Sequence, residues 1–367
     1  MKVVFTGGGT GGHIYPALAL ARYLREHEGA DIMFIGTEHG MEKQIVPLAG
    51  FPLQVIPVIG LERRLSLKLG RAIYLAASGV FTARRILRSF RPDVVVGTGG
   101  YVAGPVVLAA RLANIPTVIH EQNAIPGLTN VWLSRMATRV CLSIPGSEAY
   151  FPRPQKTVLT GNPRATEAAG EAGSAPPAEP VLQPQQPVLL CVGGSHGALK
   201  LNEAFAGSVD RVLSATSAQI VYVTGRRYFD DIKKQLSPLQ QRFPKRFHLL
   251  SYHEQLPRLL ARTSLMVSRA GATTLAELTA LGVPAILIPS PNVTKNHQEH
   301  NARMLSENGA AVLIRESDLS TEGLAAQLIE LLTNSKRLRE MADASHALGI
   351  PDAATRMATV IKDVIRR

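Results

Sequence analysis

The sequence predicts an α/β protein built from two parallel-sheet domains, and three observations predict it. Short apolar runs alternate with helical patterns from one end of the chain to the other. The runs are rich in β-branched residues, as in strands buried on both faces. The strand, glycine-turn and helix that open the chain also return near residue 190, so the pattern starts twice.

In the first half the predicted strands are Val3–Phe5, Ile32–Ile35, Val94–Val96, Thr117–Ile119 and Val140–Leu142. Helical stretches such as Pro16–Glu26 and Ala72–Phe90 lie between them. The second half repeats the scheme with Val188–Val192, Ile220–Val223, His248–Leu250, Leu265–Val267 and Ala285–Ile288. Strand–helix alternation of this kind covers a parallel sheet with helices on both faces. The opening Val3-Val4-Phe5-Thr6-Gly7-Gly8-Gly9-Thr10-Gly11-Gly12 is echoed by Leu189-Leu190-Cys191-Val192-Gly193-Gly194-Ser195-His196-Gly197-Ala198. Two Rossmann-like halves facing each other across a cleft are the simplest architecture. The first is expected over residues 1–162 and the second over 163–350, joined at the turn-type sequence Gly161-Asn162-Pro163. The Pro-, Ala-, Gln- and Gly-rich stretch 170–187 is expected to be a surface loop.

The chain has 367 residues, a length that suits two domains of roughly 100–200 residues each. With 46% hydrophobic and 19% charged residues it can bury a core in each half. No apolar run reaches the roughly 18 residues expected of a membrane-crossing helix. Met1-Lys2 leads straight into Val3-Val4-Phe5 without the longer apolar stretch of a secretory signal, so a cytoplasmic protein is expected. The cysteines, Cys141 and Cys191, lie in or beside apolar runs, which argues against a disulfide or a cysteine metal site.

The formal net charge of +12 is unevenly spread. Residues 61–91 hold eight basic residues against Glu62 alone. Arg63, Arg64, Lys68, Arg71, Arg84, Arg85 and Arg88 are interleaved there with large apolar residues that include Tyr74, Val80 and Phe81. A solvated helix face would account for the charge by itself. The mixture of cations and large apolar groups suits a helix lying on an anionic membrane surface. No DNA- or RNA-binding motif accompanies the charge, so nucleic acid is not an expected partner.

Gly7, Gly9 and Gly12 satisfy G-x-G-x-x-G between a strand and a helix, where backbone N–H groups and the helix N-terminus attract an anion. A dinucleotide-binding dehydrogenase would read the same way. It also needs an acid at the end of the second strand, and that strand ends in Ile35-Gly36-Thr37 with Glu38 arriving late. The echoed glycine turn is left unexplained by one dinucleotide site. His13 directly follows the first turn, where a helix N-terminus disfavours imidazolium and suits a proton acceptor. A histidine that merely packs at the turn is the alternative.

The second half offers a fuller site. In Ser268-Arg269-Ala270-Gly271-Ala272-Thr273-Thr274-Leu275-Ala276-Glu277 a strand runs into an open helix start with two hydroxyls, and an acid follows one turn later. Glu277 suits the hydroxyls of a ribose, although a first-turn acid also complements the helix dipole. Asn296-His297-Gln298-Glu299-His300-Asn301 offers partners for sugar hydroxyls. Two histidines three apart, without further ligands, do not make a metal site. His120-Glu121-Gln122-Asn123 lies at a strand's C-terminal end, where α/β sheets bind ligands.

These motifs, taken in order with Gly97-Thr98-Gly99-Gly100-Tyr101-Val102-Ala103-Gly104-Pro105, resemble the MurG family of UDP-N-acetylglucosamine transferases over nearly the whole chain. The resemblance implies a GT-B fold with a lipid acceptor on the first domain and UDP-N-acetylglucosamine on the second. It also implies that residues 351–367 form a helix packing back on the first domain. Donor-binding roles fall on Thr10, Gly11, Gly12, Asn123, Arg164, Ser195, His253, Ala272, Thr273, Glu277 and Gln298, and acceptor-binding roles on Tyr101, His120 and Glu121. Arg164 sits one place earlier than in some members, and His196 stands where Gln is usual.

The implied reaction is inverting transfer of N-acetylglucosamine to the C4 hydroxyl of the muramyl sugar in lipid I (undecaprenyl-pyrophosphoryl-MurNAc-pentapeptide), with His13 as base. Neither metal nor cofactor is expected. The expected setting is the cytoplasmic face of the inner membrane, among anionic lipids and other cell-wall synthesis proteins. A transferase with another lipid acceptor and a UDP-N-acetylglucosamine 2-epimerase are the competing readings.

Overall fold

The computed structural model describes the chain apart from residues 61–66, 176–177, 195–196 and 367, and apart from the side chains of residues 67–69, 71 and 73. The expectations for Arg63, Arg64, Ser195 and the side chains of Lys68 and Arg71 lie outside the described residues. The chain divides into two compact units, residues 1–166 with 352–367 and residues 167–351.

In the first unit, β1 (Lys2–Gly7), α1 (Gly11–Glu28), β2 (Asp31–Gly36), α2 (Glu42–Leu48), β3 (Leu53–Val55), α3 (Leu67–Phe90) and β4 (Val94–Gly99) come first. They are followed by α4 (Ala103–Leu112), β5 (Thr117–Glu121), α5 (Leu128–Ser134), β6 (Arg139–Leu142) and β7 (Thr157–Leu159), and α6 (Pro163–Glu171) runs from this unit into the second. Among the described residues the strands form one seven-stranded parallel sheet, ordered β3-β2-β1-β4-β5-β6-β7. The apolar centres of β1 and β4 are fully enclosed, as strands covered by helices on both faces must be. The strand order reverses between β1 and β4, and the C-terminal ends of such neighbours open the ligand crevice of a doubly wound sheet. All five predicted strands are present. The sequence reading missed β3 and β7, which are edge strands of three residues without a continuous buried apolar run.

The second unit has β8 (Val188–Val192), α7 (Leu199–Ala215), β9 (Gln219–Val223), α8 (Phe229–Arg242), β10 (Phe247–Leu250), α9 (Leu256–Leu260), β11 (Leu265–Ser268) and α10 (Ala272–Leu281). It continues with β12 (Ala285–Leu287), α11 (His297–Glu307), β13 (Ala311–Leu313), α12 (Thr321–Thr333) and α13 (Ser335–Ala347). Its parallel sheet, six-stranded among the described residues, runs β10-β9-β8-β11-β12-β13, with the reversal between β8 and β11. Both units therefore place a glycine-rich turn at their reversal point.

The last helix, α14 (Ala353–Ile365), belongs to the first unit. Ala354, Met357, Ala358, Ile361 and Val364 recur at helical spacing and join the core formed by Ile14, Leu18 and Phe5. The exposed edge of the contact is pinned by Tyr23 Oη and Thr355 Oγ1 at 2.9 Å and by Lys362 Nζ donating to Glu28 Oε1 at 2.8 Å. Cys141 and Cys191 are free and buried, and burial pushes the Cys141 thiol up to about 12, so both act as small core residues.

Met357 is fully enclosed between α14 and this core. Met357→Ala should lower the unfolding free energy of the first unit by about 2–5 kcal/mol, read from urea titration. A change below about 0.5 kcal/mol, the usual size of a surface substitution, would show that α14 contributes little to that core.

Candidate functional site

In the first unit the turns after β1 and β4 lie against each other. A Cβ on Gly100, whose φ is +80°, would sit 2.4 Å from the carbonyl oxygen of Gly8. One on Gly99, at φ +111°, would strike the His13 ring, 3.0 Å from Nε2. Glycine at these two places satisfies both the backbone conformation and the close approach. Thr98 Oγ1 donates to the His13 carbonyl at 2.9 Å and ties the first turn of α1 to the end of β4.

His13 is half-buried at the start of α1, and its Nδ1 lies 3.1 Å from the carbonyl oxygen of Gly8. A carbonyl can only accept, so this bond places the proton on Nδ1 and leaves the Nε2 lone pair. Thr10 Oγ1 is 3.3 Å from the same nitrogen. Thr10 and Gly12 are exposed and Gly11 is half-buried; Thr10 caps α1 without a side-chain hydrogen bond. The ring of Tyr101 lies against Gly9.

His120 and Glu121 are 0% and 2% exposed. Their partners are internal. His120 Nδ1 faces Gln122 Nε2 at 3.2 Å, and its Nε2 lies 2.9 Å from Ser143 Oγ and 3.3 Å from the Gly161 carbonyl. Glu121 accepts from the backbone of Gln122, Asn123 and Gly127 and from the amides of Asn123 and Asn130. The bonds of Glu121 hold the loop that carries Asn123 at the end of β5. A charged or polar group at a buried strand end needs such internal partners.

Arg164 lies in the first unit, its backbone N–H bonded to Asn162 Oδ1 at 3.1 Å and its guanidinium 5.9 Å from the centre of the Tyr15 ring. Sequence reasoning missed Glu42, at the start of α2. Glu42 Oε2 accepts from Gly9 N–H at 3.1 Å, and Oε1 accepts from the backbone and hydroxyl of Thr37 at 3.0 and 2.7 Å. An acid in a helix's first turn reads in sequence as a dipole complement, which hides such a role.

In the second unit α10 starts at Ala272 without a side-chain cap, so its first N–H groups point outwards from the end of β11. Thr273 Oγ1 is enclosed there with no hydrogen-bond partner. Glu277 follows one turn later and is 3% exposed. Arg269 was not singled out from the sequence. It braces the region by donating to the carbonyls of Ile288 and Pro289 at 3.0 and 3.2 Å and by pairing with Glu316. Asn301 Nδ2 donates to the Ala270 carbonyl at 3.2 Å, and Gln298 Oε1 accepts from Ser290 N–H at 2.9 Å. These two bonds fasten α11 to the turns after β11 and β12. His253 Nε2 donates to the Glu179 carbonyl at 3.1 Å, beyond β10.

On α3, Tyr74 and Phe81 are 73% and 74% exposed, and Arg85 and Arg88 are exposed on the same face. Val80 and Arg84 are turned from that face. Val80 packs on the core, and Arg84 is half-buried with its Nε enclosed. Helical geometry rotates them some 100° away from Phe81 and Arg85.

Burial pushes the His120 imidazole down to about 4, so it is neutral near pH 7. As pH falls through 6.5 the unfolded chain takes up a proton at this residue, and the folded chain does so only near 4. Stability should therefore decline across that window by up to about 3 kcal/mol from this group. Urea titrations at pH 7 and pH 5 should show the loss, and His120→Asn should flatten the slope.

Residues 3–142 match the glycosyltransferase family 28 N-terminal domain, and residues 188–357 match the C-terminal domain of that family. A protein of Oenococcus oeni is 46% identical over 366 residues, which are 100% of this chain and 98% of its own. It is named UDP-N-acetylglucosamine–N-acetylmuramyl-(pentapeptide) pyrophosphoryl-undecaprenol N-acetylglucosamine transferase. One of Halalkalibacterium halodurans bears the same name and is 44% identical over 100% of both chains. Among solved structures, Acinetobacter baumannii MurG superposes with a TM-score of 0.78 at 31% identity, with 99% of each chain covered. A putative UDP-N-acetylglucosamine 2-epimerase of Listeria monocytogenes gives 0.73 at 16% identity over 99% of this chain and 96% of its own, a likeness of fold alone. With both domains matched and relatives this similar along the whole chain, the protein belongs to glycosyltransferase family 28, has the GT-B fold and falls in its MurG branch.

Proposed function

We propose that this chain transfers N-acetylglucosamine from UDP-N-acetylglucosamine to the C4 hydroxyl of the muramyl sugar in lipid I, yielding lipid II with inversion at C1. The observation that carries the reading is end-to-end similarity, at 46% and 44% identity, to two relatives named for this transfer. The His13 geometry supports the chemistry. His13 Nε2 takes the hydroxyl proton while the oxygen forms a bond to C1 of the donor sugar. The C1–oxygen bond to the diphosphate breaks, and UDP leaves with the electron pair. Negative charge grows on the diphosphate, and uncapped helix-start N–H groups such as those of α10 are suited to stabilise it.

We assign the donor-side roles to Ala272, Thr273 and Glu277 on α10, to Gln298, which is bonded to the turn after β12, and to His253 beyond β10. Thr10, Gly11, Gly12, Asn123, Arg164 and Tyr101 complete the assignment around His13. Incubation of labelled UDP-N-acetylglucosamine with a lipid I analogue should give label transfer that depends on the muramyl lipid. Formation of the 2-epimer without acceptor would replace this reading by the epimerase one. His13→Ala should lower kcat at least about 100-fold while UDP binding is kept. Near-normal turnover would remove His13 from the base role.

The α3 face is the proposed docking surface for the anionic leaflet that carries lipid I. It combines two large, highly exposed aromatic side chains with Arg85 and Arg88, and α4 packs beside it with Leu112 also exposed. Arg85→Glu with Arg88→Glu should weaken sedimentation with vesicles containing phosphatidylglycerol and leave UDP binding unchanged. Equal binding by variant and parent would remove this surface from the role.

A further inference from the structure

We propose that Glu42 is a positioning residue for His13, acting through the single peptide group that joins Gly8 to Gly9. The carbonyl of that peptide accepts the His13 Nδ1 proton at 3.1 Å, and its N–H donates to Glu42 Oε2 at 3.1 Å. A carboxylate, a peptide group and an imidazole are thus hydrogen-bonded in series. An anion on the N–H polarises the peptide and makes its carbonyl the stronger acceptor. The stronger acceptor holds the proton on Nδ1 and steadies the imidazolium that forms when Nε2 takes the substrate proton. A carboxylate bonded directly to a catalytic histidine acts by the same logic. The proposal rests on the reading of His13 as the base.

The surroundings of Glu42 are built for it. The side chain is 1% exposed, and its second oxygen is held by the Thr37 backbone and hydroxyl. Three glycines clear the space. A Cβ on Gly8, Gly36 or Gly40 would come within 2.5, 2.6 or 2.1 Å of atoms of the Glu42 side chain. None of the three has a positive φ, so backbone conformation does not call for glycine there. The carboxylate does. Among the other titratable groups around His13, His120 on β5 is neutral by burial, and Tyr15 and Tyr101 flank the glycine turn. Arg164 on α6 lies over Tyr15, and Glu121 is reached through Asn130. Glu42 is the acid bonded to the same peptide as the imidazole.

The test uses the full-length protein with isotope-labelled histidine. Long-range nitrogen–proton NMR of the unmodified protein should show His13 as the Nδ1–H tautomer; a predominant Nε2–H form would overturn the proposal without any variant. Glu42→Gln keeps the shape and removes the charge. It should lower the Nδ1–H fraction, reduce kcat about 10-fold and move the acidic limb of the kcat–pH profile to lower pH, with KM for UDP-N-acetylglucosamine unchanged. Should Glu42→Gln bind UDP as the parent does while the tautomer and the acidic limb stay where they were, the relay is wrong although the base reading stands. Should His13→Ala turn over normally, the base reading is wrong, and the relay loses its catalytic purpose with it.

Discussion

The first unit depends on a contact between two stretches of backbone that no side chain can share. The ends of β1 and β4 meet so closely that Gly100 has only a hydrogen where a Cβ would be 2.4 Å from the Gly8 carbonyl. This closeness carries the turn after β1 onto the end of its neighbour. It brings Thr98 within reach of the first turn of α1 and aims the Gly8 carbonyl at His13. Strand order supplies the meeting point, because the sheet reverses direction of winding between β1 and β4.

Around that contact lies a layer of buried polar groups whose function is order. His120, Glu121, Gln122 and Asn130 are nearly closed to solvent and bond to one another and to the loop ends. Hydrogen bonds among buried groups fix their relative placement. Neutral His120 fits this layer because one ring nitrogen accepts from Gln122 and the other donates towards Ser143 and the Gly161 carbonyl. The second unit repeats the plan with different residues, Arg269 and Asn301 bracing the turn after β11.

Much of this was legible in the sequence. Continuous β-branched runs betrayed the central strands, since both faces are buried there and apolar residues occupy every position. The echoed glycine turns revealed that the unit occurs twice. The edge strands β3 and β7 escaped because half-exposed three-residue strands carry no such run. The strand-to-helix turns that carry His13 and Thr273 were legible through their motifs, whereas the burial of His120 and Glu121 was not. Polar residues at a strand end look alike in sequence whether they face a ligand or a loop. Glu42 was hidden for a related reason: its bond to the turn after β1 goes to the backbone N–H of Gly9, 33 residues away, which no side-chain pattern marks. A mixed basic and apolar run does not say which residues share a helix face, so the turn of Val80 and Arg84 away from Phe81 and Arg85 was not legible.

The return of α14 has a consequence for the order in which the protein is made. The residues that close the first core, among them Met357 and Ile361, are translated after the entire second unit. Until residues 352–367 have been made, residues 1–166 lack the helix that covers the apolar face of α1. The N-terminal half is born first and finished last, so for this chain vectorial synthesis does not set the order of domain completion.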